Sequence, residues 1–149
     1  MIDNFRWLVD GRIAGSGVPR TIEDIEWLML QGVDTIVSYS NISPKLKNKI
    51  QSLGMRHVEM PIEDYGTPEY CQINRFLDLV EKEFDEGRTV LMHCYSGIGR
   101  TGTMFALYLV NKGLDWQNAV EKGGGLETGS QRLCVQIYQE HKVAEANMH

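Results

Sequence analysis

Cys94 and Arg100 stand on either side of five residues in the stretch His93-Cys94-Tyr95-Ser96-Gly97-Ile98-Gly99-Arg100-Thr101-Gly102. The apolar run Thr89-Val90-Leu91-Met92 precedes it, and Thr103-Met104-Phe105-Ala106-Leu107-Tyr108-Leu109 follows. This reads as a buried strand, a glycine-rich turn and a buried helix. A helix N-terminus at the turn presents unpaired N–H groups and the positive end of a dipole, both of which favour an anion. Gly97 and Gly99 are expected at positive φ, where successive N–H groups of Tyr95, Ser96, Gly97, Ile98, Gly99 and Arg100 curl into a concave nest. The planar fork of Arg100 suits bidentate contact with phosphate oxygens. Cys94, expected at the mouth, would be held as thiolate by the same positive field. A nucleophile aimed into an anion cradle is an arrangement for phosphoryl transfer.

Other readings of the same residues are weaker. Gly97-x-Gly99-x-x-Gly102 matches the dinucleotide fingerprint, which requires a further parallel strand after the helix with an acidic residue about 20 positions on. Here the helix is expected to end near Asn111-Lys112-Gly113, and Leu114 to Val120 reads as helix instead. The Walker loop fails because no Gly-Lys-Ser/Thr follows. Taken blandly, Cys94 would be a small core residue and the glycines a tight turn, which leaves Arg100 unexplained.

The elements that must carry this loop can be read in chain order. Phe5 to Val9, a turn at Asp10-Gly11, and Ile13-Ala14 form a short strand pair. Thr21-x-x-Asp24 resembles a capping box, and Ile22, Ile25, Leu28 and Met29 repeat with helical period. Gly32 ends that helix, and Asp34 to Tyr39 is a strand. Ser43-Pro44 opens a second helix, closed by Gly54, and Arg56 to Met60 is the next strand. From about Glu69 to Glu86, Tyr70, Ile73, Phe76, Leu77, Val80 and Phe84 share one helix face. Alternating strands and helices predict a single α/β domain over residues 1–149. Its twisted sheet of four to five mostly parallel strands would have helices on both faces. The phosphate-binding loop would lie between the central strand and its helix, at the strand's carboxyl end.

Composition fits one soluble domain: 149 residues with 42% hydrophobic and 23% charged content. A net charge of −5 argues against general nucleic-acid binding, so positive potential must be supplied locally. No apolar run approaches the roughly 20 residues needed to span a bilayer, and Met1 to Arg6 lacks the pattern of a signal peptide. Three cysteines without close spacing suit reduced thiols and a cytoplasmic setting. His57, His141 and His149 are scattered, with no metal-ligand spacing, and no cofactor is expected.

Phosphate-ester cleavage builds charge on the leaving oxygen, so a proton donor is required. Asp64, in the polar loop Pro61-Ile62-Glu63-Asp64-Tyr65-Gly66-Thr67-Pro68, is the candidate, with Glu63 as second choice. Asp64 is otherwise a turn residue beside Gly66 and Pro68. Of the other cysteines, Cys71 and Cys134 are expected in helices, as core residues.

Cys94, five residues, Arg100 and Thr101 resemble the signature of the cysteine-based protein tyrosine phosphatase superfamily, and the chain is similar to its small dual-specificity branch. Gly11 to Gly15, the Gly32-Val33 turn before Thr35 to Ser38, and Pro61 to Phe76 extend that resemblance over most of the chain. It implies Cys94 as nucleophile, Arg100 as phosphate-holding group, and Asp64 as acid, since relatives place an acid before an aromatic such as Tyr65. Thr101 matches the hydroxyl that supports the thiolate, or else caps the helix. His93 matches the histidine that orients the loop.

Gly123 to Gln131 occupies the place of a substrate-side loop, where Glu127 or Gln131 could orient the hydrolytic water. In the bland reading Glu127 is a helix N-terminal carboxylate and Gln131 an exposed first-turn amide. Many relatives have a proline and a basic residue where Gly123, Gly124 and Gly125 stand. The resemblance implies phosphorylated proteins or peptides as substrates of a monomeric enzyme: phosphotyrosine, with phosphoserine and phosphothreonine left open. No extra segment builds the deep tyrosine-selective pocket of larger relatives. Phosphoinositide phosphatases of the superfamily carry lysines in the loop, and its RNA triphosphatases an asparagine where Gly99 stands. Those two substrate classes, and a non-catalytic phosphotyrosine-binding module, are the other readings.

Overall fold

The computed structural model describes residues 2–148. Strands β1 (Arg6–Val9) and β2 (Ile13–Ser16) form the hairpin, followed by α1 (Ile22–Leu30), β3 (Thr35–Ser38), α2 (Pro44–Ser52) and β4 (Arg56–Glu59). Then come α3 (Tyr70–Asp85), β5 (Val90–His93), α4 (Gly99–Asn111), α5 (Trp116–Lys122) and α6 (Gly129–Asn147). The sheet order is β1-β2-β5-β3-β4, antiparallel only between β1 and β2. The apolar run before Cys94 is therefore the central strand, and all four of its residues are buried. Strands buried on both faces read as continuous apolar runs, which is why β5 was conspicuous in the sequence.

Side-chain alternation divides the core into two layers. Ile13, Val37, Val90 and Met92 face a layer with Ile73, Phe76 and Val80 of α3, most of α4, Ala119 and Val120 of α5, and Val135 and Tyr138 of α6. Their neighbours Ala14, Ile36 and Leu91 face Ile25 and Leu28 of α1 and Leu46 and Ile50 of α2. Helices cover both faces, as expected from the alternation. The helix starts follow local chemistry. Thr21 and Asp24 form a complete capping box on α1, Ser43 caps α2 with Pro44 behind it, and Thr128 forms a capping box with Gln131 on α6. Leu30, Tyr70, Leu133 and Ile137 remain on the surface.

At the bottom of the sheet, Glu83 of α3 is fully buried and paired with Arg56 at 3.2 Å and Arg88 at 3.3 Å. Two cations compensate its desolvation and tie α3 to the ends of β4 and β5. The carboxyl ends of the parallel strands, at the opposite edge, are left for the site.

Candidate active site

Strand β5 delivers Cys94 to the end of the sheet, and the loop from Tyr95 to Ile98 leads directly into α4. Cys94 is only 1% exposed, so it forms the floor of the cradle, not its mouth. The Gly97 N–H points at its Sγ at 3.2 Å. The next two donors are also engaged: Ile98 N–H on Ser96 Oγ at 3.3 Å, and Gly99 N–H on Glu127 Oε1 at 3.0 Å. An anion that uses these N–H groups must displace both acceptors.

Only one of the two loop glycines uses positive φ. Gly97 lies at φ +87°, and a Cβ there would sit 2.5 Å from the Ser16 carbonyl carbon and 2.6 Å from Gly17 N. Gly99 is the first residue of α4, and its bare α-carbon admits the Glu127 carboxylate, whose Oε1 a Cβ would meet at 2.2 Å. Gly97→Ala is therefore expected to lower stability by about 1–3 kcal/mol through strain and the collision with β2, measured by thermal unfolding. The displaced loop should also lose phosphate binding. An alanine variant that melts with wild type and binds phosphate normally would contradict this.

Arg100 is 6% exposed and reaches away from its helix toward the acid loop. One guanidinium nitrogen donates to the Ile62 carbonyl at 2.9 Å and the Tyr39 carbonyl at 3.4 Å. The other pairs with Asp64 Oδ1 at 3.3 Å. Asp64, 58% exposed, is thereby tied to the helix that follows Cys94, while Glu63 is exposed and makes no such pair among the described residues. Tyr65 follows at φ +60°, an uncommon conformation for a side-chain-bearing residue, with its N–H on Asp64 Oδ1 at 3.0 Å. The fold thus brings Cys94, Arg100 and Asp64, from three separate elements, to one end of the sheet.

The family model described as PTP-SAK, Swiss Army Knife protein, DSP-PTPase phosphatase domain, matches residues 2–144. The chain belongs to that family. It is also 34% identical over 100 residues to the tyrosine-protein phosphatase CDC14 homolog of Schizosaccharomyces pombe, covering 64% of this chain and only 18% of that protein's length. It is 26% identical over 120 residues to protein tyrosine phosphatase type IVA 3 of Bos taurus, covering 79% of this chain and 67% of that one. Among solved structures, Tk-PTP in its active form superposes with a TM-score of 0.82 at 26% identity, covering 91% of this chain and 96% of the other. Kinase-associated phosphatase superposes with a TM-score of 0.83 at 19% identity, covering 97% and 96%, a likeness of fold.

Within this DSP-PTPase domain the remaining candidates fall into place unevenly. Thr101 does not cap α4, because Ile98 occupies the N-cap position and Thr101 lies inside the first turn. Its hydroxyl is buried without a hydrogen-bond partner among the described residues. Gln131 is fully buried, not exposed. Its Oε1 accepts from Glu127 N at 2.9 Å and Thr128 N at 3.2 Å, and its Nε2 donates to the Gly66 carbonyl at 3.3 Å. It connects the Glu127 turn to the acid loop. Glu127 does sit at a helix N-terminus, but at that of α4, across the loop, and not at that of α6, which it precedes. Cys71 is exposed, which overturns the core reading for that residue, and Cys134 is partly buried, with burial pushing its thiol up.

His93 is buried beside Cys94, and desolvation lowers its pKa to about 4, only partly opposed by its bond to the Cys94 carbonyl. It is therefore neutral near pH 7. That carbonyl can only accept, so Nδ1, 3.3 Å away, carries the proton. Ser38 Oγ then donates to His93 Nε2 at 2.6 Å and accepts from His57 Nε2 at 2.7 Å. The hydrogen bonds of His93 thus continue through Ser38, the residue paired with it across β3 and β5. Ser38 and His57 carry no motif and were not anticipated. Arg6 and Asn4, which also touch the loop, were missed too. The only hint was a cation within the apolar run from Phe5 to Val9.

Proposed function

We propose that this phosphatase domain hydrolyses phosphotyrosine monoesters of proteins through a cysteinyl-phosphate intermediate, with phosphoserine and phosphothreonine to be tested beside them. One observation carries the reading: Gly97 N–H meets the buried Cys94 sulfur while Arg100, from the helix that follows the same loop, pairs with Asp64. Cys94 Sγ attacks phosphorus, the ester P–O bond breaks, and Asp64 gives its proton to the departing oxygen. Arg100 and the loop N–H groups hold the equatorial oxygens throughout. In the second displacement water attacks the phosphorus and gives a proton to the Asp64 carboxylate as the P–S bond breaks, and the buried hydroxyl of Thr101, unpaired among the described residues, supports the leaving sulfur. Glu127 is the better candidate to orient that water, since both ends of the Gln131 amide are engaged. The relatives named as tyrosine phosphatases support a phosphotyrosine substrate. The three free cysteines fit a reducing, cytoplasmic setting.

The test is phosphate release in EDTA from matched phosphotyrosine and phosphothreonine peptides, beside a 5′-triphosphate RNA and a phosphoinositide. Peptide turnover with a phosphate-labelled Cys94 peptide on acid quench establishes the reading. Turnover confined to RNA or lipid would replace the substrate class, and peptide binding without turnover would make the domain a binding module. Asp64→Asn is expected to lower kcat by about 100-fold on a phosphotyrosine peptide, the usual size of a general-acid contribution. An amide is not an acid, so the leaving oxygen of the variant must depart without a proton from position 64. The loss should shrink for an aryl ester whose leaving group is already acidic. A loss that is the same for both esters would assign Asp64 another task.

A further inference from the structure

In a planar trans peptide, the carbonyl of one residue and the N–H of the next point in opposite directions. A group that holds a carbonyl outward therefore aims the following N–H inward. Three successive carbonyls of the cysteine loop are held in this way from outside it. Tyr95 O accepts from Val18 N–H at 3.0 Å, Ser96 O from Asn4 Nδ2 at 2.7 Å, and Gly97 O from an Arg6 guanidinium nitrogen at 2.8 Å. The N–H groups thereby oriented belong to Ser96, Gly97 and Ile98, and that of Gly97 is the one that meets Cys94 Sγ.

Arg6 is itself braced. The nitrogen that holds Gly97 also donates to the Asn4 carbonyl at 3.1 Å, and the other donates to the Gly123 carbonyl at the end of α5 at 3.1 Å. Asn4 and its neighbours are fixed in turn, since the Asp3 carbonyl accepts from Gly17 N–H at 2.7 Å. Burial lowers the pKa of Arg6 and attraction to Cys94 opposes that, which marks it as a second cation in the field of the sulfur.

We propose that Asn4 and Arg6 are positioning residues of the phosphate cradle, holding the Ser96 and Gly97 carbonyls outward so that the loop's N–H groups face the anion and the Cys94 sulfur. The proposal rests on the phosphatase reading above and deepens it. Arg6 adds positive charge near the Cys94 sulfur as well as geometry, and Asn4 adds geometry alone. A lysine at position 6 would keep the charge but could not span Gly97 and Gly123 with one planar fork.

The experiment measures iodoacetamide alkylation of Cys94, read on its own peptide, against pH and against inorganic phosphate. Wild type is compared with Arg6→Met, Arg6→Lys and Asn4→Ala, with circular dichroism to verify folding. Arg6→Met is expected to need about 10–100-fold more phosphate for half-protection, the range for losing a charge-assisted hydrogen bond, and to shift the alkylation profile to higher pH. Arg6→Lys should weaken protection while leaving the pH profile near wild type. Asn4→Ala should weaken protection several-fold without moving the profile. Wild-type protection in folded Arg6→Met and Asn4→Ala would overturn the proposal. If Arg6→Met does not fold, wild-type protection in both Arg6→Lys and Asn4→Ala overturns it equally. Peptide turnover in wild type with unaltered variants defeats the clamp alone. Phosphate protection in wild type without turnover on any ester defeats hydrolysis and leaves the clamp to be judged as before.

Discussion

Cys94→Ser is expected to lower turnover of a phosphotyrosine peptide by roughly 10,000-fold or more, the scale on which loss of a nucleophile acts. The replacement differs by one atom, so the strand, the loop and the buried position of the side chain should persist. What changes is the availability of an anion. A serine hydroxyl is far less acidic than a thiol and does not yield an alkoxide near pH 7. The cradle should still bind phosphate, because its N–H groups and Arg100 are unchanged. Substrate-trapping without turnover is the outcome to look for, by calorimetry with the same peptide. Turnover within tenfold of wild type would mean that water attacks phosphorus directly and that Cys94 only shapes the loop.

Arg100→Lys should cost about 1,000-fold in kcat/KM, at the upper end for removal of a transition-state hydrogen-bond donor. The positive charge is retained, so charge alone cannot account for a loss of that size. Arg100 is buried, and its fork serves the Ile62 and Tyr39 carbonyls on one side and Asp64 on the other. A lysine ammonium is a point donor that cannot satisfy the two carbonyls and Asp64 while also gripping two phosphate oxygens. Because Arg100 also holds the acid loop, its loss should partly remove what Asp64 contributes. The double variant Arg100→Lys, Asp64→Asn is then expected to cost less than the product of the single losses. Multiplicative losses would show that the ion pair does not position the acid.

Much of this architecture was legible along the chain, for a physical reason. Buried parallel strands must be apolar throughout, helix ends must satisfy their own N–H groups, and an anion cradle is built from successive N–H groups of one short loop at a helix start. Those are local requirements, so β5, the helix starts at Thr21 and Ser43, and the Cys94–Arg100 loop all appear as local patterns. Gly99 shows the limit even there. A positive φ was expected of it, whereas its small size serves the approach of a carboxylate 28 residues away.

The sequence by itself determined the order of strands and helices, and it singled out Cys94, Arg100 and the loop of Glu63 and Asp64 as the candidates for chemistry. Only the tertiary structure decided which of Glu63 and Asp64 meets Arg100. It likewise decided that Glu127 reaches the start of α4, that Gln131 is sealed beneath the acid loop, and that Ser38 passes a hydrogen bond from His57 to His93. It also brought Asn4 and Arg6, from the first strand's end of the chain, onto the carbonyls behind the loop. These contacts depend on where separate segments cross at the carboxyl edge of the sheet. Side-chain spacing encodes which face a residue takes, but a contact between distant segments is set by packing across the whole core.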